Sequence, residues 1–472
     1  MLNIKENKAY VDRLWDASII PTLSEYIRIP NKSPQFDPKW KLNGHMDKAA
    51  RLLADWCLAN APAGMKLDVV EEENRTPLLL IEIPGDLDET ILLYGHLDKQ
   101  PEMRGWEPGL GPWTPVLRDG KLYGRGGADD GYAVFAALTA INALKQQKIP
   151  HARCVILIEA CEESGSSDLP HYVDALKHRI GEPDLIICLD SGCANYDQLW
   201  LTTSLRGLVG GILSIDVLTQ GVHSGSGSGV IPSCMMVLRQ LLARIEDDKT
   251  GRVLIKELHV DIPSQRIEQA QHTAGLLKQD IYESLPFVER AKPVSTDPVE
   301  LILNRNWRPA LSVTGSEGLP TLENAGNVTL PSLKLKLSMR LAPTCDAKQA
   351  AALIKQALEH GPPFGAKVEF QVTEAESGWS APNEDLWLAS AVEKASQNYF
   401  GKAAMYMGEG GSIPFMGMLG KKFPKAQFVI TGLLGPGSNA HGPNEFLHIE
   451  AAKKLTCCIA EVIAGQYRKT AR

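Results

Sequence analysis

The sequence has no C-x-x-C pair among its nine scattered cysteines, which removes the usual thiolate frame of a structural zinc site. Cys154, Cys161, Cys188, Cys457 and Cys458 sit in apolar runs, as small buried hydrophobes do. That usage fits a reducing cytoplasm. There is no run of about 18 consecutive apolar residues, the length a membrane-spanning helix needs. The first residues, "MLNIKENKAYVDRLWDASII", contain neither an uninterrupted apolar core nor a small-residue cleavage site, so they do not read as a signal peptide. No basic cluster occurs. Lys and Arg number 49 against 56 Asp and Glu, and the net charge of −7 is spread along the chain, which argues against nucleic acid or an anionic membrane surface as partner. Internal repeats and low-complexity tracts are absent too.

What remains is an ordinary globular composition in a chain of 472 residues, too long for one hydrophobic core. The first part alternates buried apolar runs with helical segments. Strands are expected at 76–83, 90–95, 154–160 and 183–190, with helices at about 132–148 and 169–179. Runs of Ile, Leu and Val without alternation suit strands covered on both faces, as in a mixed or parallel α/β sheet. Asp119-Gly120 marks a hairpin within 117–124. From residue 207 the style changes to strand, helix, two strands, helix, strand: 210–218, a helix at 231–247 with proline in its first turn, 309–315, 332–341, a helix at 346–361, and 366–373. That order is the ferredoxin-like unit, and 250–305 is an insertion in it. The α/β style then resumes with a helix at 382–400, a strand at 426–432 and a terminal helix from about 449. The expected architecture is a discontinuous α/β domain, 1–206 with 379–472, carrying an inserted smaller α+β domain, 207–378.

Several buried runs of the larger domain end in residues with ligand atoms. "ILLYGHLDKQPE" ends in His96 and Asp98, "CVILIEACEE" in Glu162 and Glu163, "LIICLD" in Asp190, and "FVITGLLGPGSNAHGPNE" leads to His441. Asp129 and Asp130 lie in the glycine-rich "GRGGADDGYA". Each alone is unremarkable: an aspartate before a helix is ordinarily an N-cap. Together they supply imidazoles and carboxylates from five segments, mostly at strand ends, where α/β sheets gather their ligands. The set suits zinc, with cobalt or manganese as alternatives. A bridging carboxylate can hold two cations about 3.5–4 Å apart. It also explains two adjacent glutamates: one can bind metal while its neighbour acts as base.

In combination and order, "LLYGHLDKQP", "GRGGADD", "EACEESGS", "GVHSG", "SMRLAP", "GEGGSIP" and "NAHGPNE" resemble the dinuclear-zinc hydrolases that include carnosine-type dipeptidases, glutamate carboxypeptidase, aminoacylases, acetylornithine deacetylase and succinyl-diaminopimelate desuccinylase. The dipeptidase branch is most similar. The resemblance implies a zinc-aminopeptidase-like catalytic domain with a ferredoxin-like lid that also serves dimerisation. It implies His96 and Asp190 on one metal, Glu163 and His441 on the other, Asp129 bridging, Asp98 holding the His96 ring, and Glu162 as general base. It further implies His223 at the developing oxyanion, Arg340 and Ser412 at a substrate carboxylate, and Asn327 near the substrate. Glu409 and Glu445 are acidic positions of the same motifs. One departure is that many relatives continue Asp-Asp-Lys-Gly where this chain has Asp129-Asp130-Gly131-Tyr132.

The expected activity is hydrolysis of an amide bond in dipeptides or short peptides with a free carboxylate, by a metal-bound hydroxide with a glutamate base. The alternative is deacylation of an N-acyl amino acid; a non-catalytic metal- or peptide-binding relative is a third reading. The resemblance also implies a homodimer.

Overall fold

The structure, a computed structural model, describes residues 2–283, 285–411 and 414–470. The chain forms two compact units, Met1–Thr202 with Ala381–Tyr406 and Met418–Arg472, and Thr203–Ser380 with Met407–Gly417.

In the first unit six strands make one sheet, in spatial order Lys66–Val70, Leu78–Ile83, Ala152–Glu159, Leu87–His96, Pro183–Cys188, Gln427–Ile430. The first two pairings are antiparallel. The remaining three are parallel. The sheet is therefore mixed, and its central strands are buried almost throughout. Helix Ala133–Gln146 is buried at every position from Ala133 to Leu144. A helix apolar all round belongs inside the molecule, and here it packs between the sheet and the helix Ile449–Thr470.

Because Leu87–His96, Ala152–Glu159 and Pro183–Cys188 are parallel neighbours, their carboxyl ends share one rim. His96 stands in register with Glu159, three residues before Glu162, and Tyr94 with Cys188, two before Asp190. Gly95 makes this rim possible. A Cβ there would come within 2.6 Å of the Ala133 methyl and 2.7 Å of an Asp130 carboxylate oxygen. Asp119 and Gly120 both have left-handed backbones, φ 52° and 71°, between strands Val116–Arg118 and Lys121–Tyr123, as a type I′ turn requires.

The second unit carries a four-stranded sheet ordered Ala310–Glu317, Ser332–Leu341, Gly207–Asp216, Lys367–Glu376, antiparallel throughout. Along Ser332–Leu341 the alternation is legible: Leu333, Leu335, Leu337 and Met339 are buried, while Lys334 and Lys336 face out. Two expectations need correction. The helix anticipated over 231–247 spans Cys234–Leu242, and Pro232 lies outside it. Ser233 is its cap, accepting the Met236 N–H at 3.1 Å, which satisfies a donor that proline leaves untouched. The helix expected at 169–179 is divided at Leu176 into Leu169–Ala175 and Lys177–Ile180. Within 250–305, helices Ser264–Leu277 and Pro298–Asn306 contribute to a small core of their own around Ala270, Ile302, Leu303 and the neighbouring Trp307. All nine cysteines are buried and none forms a disulfide.

Candidate metal centre

At the rim, the ligand atoms of His96, Asp129 and Asp190 lie within 4.8 Å of one another, as do those of Asp129, Glu163 and His441. His96 Nε2 is 3.3 Å from Asp129 Oδ1 and 3.7 Å from Asp190 Oδ2. His441 Nε2 is 3.0 Å from Asp129 Oδ2 and 3.2 Å from Glu163 Oε2. Asp129 thus presents one oxygen to each group. Asp130, joined to it by a cis peptide bond, turns the other way, and its Oδ2 accepts the backbone N–H of His96 at 3.3 Å.

Asp98 serves both halves of the rim. Its backbone carbonyl lies 3.1 Å from His96 Nδ1 and its carboxylate 3.5 Å from the same nitrogen. That carboxylate also accepts the N–H groups of Glu162, at 3.1 Å, and Glu163, at 3.0 Å. The adjacent glutamates are therefore anchored by backbone, leaving their side chains to the site. The sequence reading did not single out Gln100, whose Nε2 donates to Glu163 Oε2 at 2.6 Å; the signal available was its place in "GHLDKQPE", four residues after His96.

The charges explain what the site lacks on its own. Burial, then Asp190 and Glu163, push the Glu162 carboxyl well above the usual carboxylate range, against the pull of His96. Burial likewise lifts Asp190 to about 7 despite His96, with Asp129 and Glu163 adding to the rise. Asp129 moves the other way: burial opposes its ionisation, but hydrogen bonds to His441 and His96 overcome that cost and hold it below its ordinary value. Carboxylates thus outnumber the two imidazoles they face. Glu163 Oε1 is buried with no hydrogen-bond partner among the described residues, and such an atom is costly unless something pairs with it. Carboxylate and imidazole donors in two groups, an excess of negative charge and an orphaned oxygen fit divalent cations.

Burial also opposes protonation of His441, yet Asp129 and Glu163 together raise its pKa to about 11. At neutral pH the metal-free imidazole carries a proton that a cation must displace. Apparent cation affinity should therefore rise with pH below about 11, by about tenfold per unit for each proton released. Calorimetry in buffers of different ionisation enthalpy would measure this release, and finding none would contradict it.

The departure after Asp130 has a physical account. Tyr132 is buried and its hydroxyl donates to the Leu189 carbonyl at 2.5 Å, beside Asp190. A Cβ on Gly131 would lie 2.6 Å from the Gly126 carbonyl and also run into the Tyr26 ring. Gly131→Ala should lower stability by about 1–3 kcal/mol through overpacking, read as a drop in thermal midpoint.

In the second unit, Val222–His223 pairs with Val328–Thr329, and the Ser224 N–H donates to Asn327 O at 2.8 Å, so His223 and Asn327 lie side by side. His223 is exposed and its Nδ1 accepts the Gly225 N–H at 3.0 Å. Arg340 lies near the end of Ser332–Leu341 and is half-buried. Ser412 lies outside the described residues.

A mixed α/β sheet whose strand ends gather two carboxylate–imidazole groups around a shared aspartate is the frame of a metal-dependent hydrolase. Residues 92–465 match the model of peptidase family M20/M25/M40, and the chain belongs to that family. It is 29% identical to a cysteinylglycine-S-conjugate dipeptidase of Corynebacterium striatum, over 77% of this chain and 79% of the relative. It is 30% identical to a beta-Ala-His dipeptidase of Mus musculus, over 74% and 72%. The solved human carnosine dipeptidase 1 superposes with a TM-score of 0.77 at 23% identity, over 98% of this chain and 99% of that one, a likeness of fold. Among the described residues no helix is long and apolar enough to cross a membrane.

Proposed function

We propose that this chain is a metallodipeptidase that hydrolyses the amide bond of dipeptides or short peptides bearing a free carboxylate. The observation that carries the reading is Asp129, whose two oxygens face two separate ligand groups. His96, Asp129 and Asp190 would hold one cation, and Asp129, Glu163 and His441 the other, with zinc favoured by the donor set. Such cations would lower the pKa of water from 15.7 toward about 7 and polarise the scissile carbonyl.

The chain's own groups supply the rest. Glu162, anchored through its backbone N–H by Asp98, takes a proton from the attacking water and passes it to the leaving nitrogen. Its raised affinity for protons suits that shuttle. We assign His223 to the charge developing on the carbonyl oxygen, Arg340 to the substrate carboxylate, which a guanidinium can grip with two parallel hydrogen bonds, and Asn327 and Ser412 to substrate contacts. In this reading the second unit is a ferredoxin-like lid through which two copies dimerise.

The similarity to cysteinylglycine-S-conjugate and beta-Ala-His dipeptidases supports a dipeptide over an N-acyl amino acid. The test is a panel of neutral dipeptides, Cys-Gly and β-Ala-His, run beside N-acetyl and N-succinyl amino acids on zinc-loaded and chelator-treated protein. Metal-dependent cleavage of the dipeptides is expected. Faster turnover of the acylated amino acids would replace this reading with a deacylase.

A further inference from the structure

We propose that Arg125 and Glu445 form a buried clasp that positions His441, and thereby sets cation uptake at Asp129–Glu163–His441 more strongly than at His96–Asp129–Asp190. The inference rests on the two-cation reading above. Both side chains are essentially inaccessible, at 1% and 0% exposure, and Arg125 Nη1 donates to Glu445 Oε2 at 2.6 Å. The remaining contacts run to the two loops that carry ligands. Glu445 Oε1 accepts the N–H groups of Gly126, at 3.0 Å, and Ala128, at 3.3 Å; Ala128 immediately precedes Asp129. Arg125 Nη2 donates to the Gly442 carbonyl at 2.6 Å; Gly442 immediately follows His441. The Gly124 N–H closes the set on the Glu445 carbonyl at 3.0 Å.

The loop being held is one that would not hold itself. Asn439, His441 and Asn444 have φ of 53°, 64° and 62°, a left-handed backbone that crowds any Cβ. Such residues persist where their surroundings over-determine them, and they cluster at functional sites. Within the loop, Asn439 Nδ2 donates to Pro443 O at 2.5 Å and the Gly442 N–H to Asn439 O at 2.9 Å. Beside the contact of His441 with Asp129 itself, the clasp joins it to the Asp129 segment through charged groups. A buried ion pair is a poor source of stability, because removing two charges from water offsets their attraction. What this one provides is geometry. His96 has separate supports, Asp98 and Asp130, so its group depends on the clasp only through the shared Asp129 and should be less sensitive to it.

The experiment titrates the metal-free full chain with Zn²⁺ by calorimetry and compares wild type with Arg125→Lys and Glu445→Gln. His441→Ala and Asp190→Asn identify which binding step belongs to which group. The expected result is a His441-linked step weakened by about 10–100-fold, the usual cost of losing a ligand's outer support, with the Asp190-linked step weakened clearly less. Equal weakening of both steps, or none, overturns the clasp. A wild type that takes up fewer than two cations overturns the two-cation reading and the clasp with it. A second arm needs no substitution: hydrogen exchange at the Gly124, Gly126 and Ala128 amides, which donate to Glu445, should be slow in the metal-free wild type. Exchange there at the rate of an open loop also overturns the proposal.

Discussion

Glu162→Gln should reduce turnover by about two to four orders of magnitude, the range a positioned general base contributes, while two cations remain bound. The amide is nearly isosteric with the carboxylate, and the anchoring contact is made by the residue's backbone N–H to Asp98, so the turn survives the exchange. Glu162 is also absent from both ligand groups; its loss should leave cation stoichiometry alone. What glutamine cannot do is accept a proton from water and return it to an amine. The measurement is kcat on a dipeptide beside elemental analysis of the same sample. A variant that retains appreciable turnover, or one that loses its metal, would remove Glu162 from the role of base.

The second large effect concerns the shared ligand. Asp129→Asn should cut affinity at both cation sites, whereas Asp190→Asn should weaken one. The asymmetry follows from geometry: Asp129 presents Oδ1 to His96 and Oδ2 to His441, while Asp190 approaches His96 alone among the two imidazoles. An asparagine keeps one carbonyl oxygen and replaces the other by an NH₂ that repels a cation. Removing a buried charge here also unbalances the imidazoles beside it, since Asp129 is a principal support of the protonated His441 in the metal-free protein. Stoichiometry by elemental analysis after dialysis against a fixed cation concentration decides the matter. Two cations retained by Asp129→Asn would show that the aspartate bridges nothing.

Much of this arrangement could be read from the sequence, for a physical reason. A strand covered on both faces cannot alternate, so a sudden His-x-Asp or Glu-Glu at its end stands out against "ILLYG" or "CVILIEA". Strand ends and candidate ligand positions thus come from one pattern. Other parts were hidden because they depend on partners far along the chain. Nothing local to Asp98 reveals that its carboxylate accepts the N–H groups of Glu162 and Glu163. Arg125 was visible as a lone charge among glycines, yet its meaning depends on Glu445. The helix limits at Cys234 and Leu242 were missed because apolar residues continue on either side, and the Ser233 cap set the start.

The candidate ligands also span most of the polypeptide, from the end of strand Leu87–His96 to a loop beyond strand Gln427–Ile430. An unfolded chain cannot bring such distant groups together, so divalent ions would be taken up almost exclusively by molecules that have finished folding. Mass action then ties conformational stability to the surrounding ion supply, by about 2.7 kcal/mol for a site exposed to a hundred times its dissociation constant. In metal-starved surroundings the protein should become not only idle but also easier to unfold.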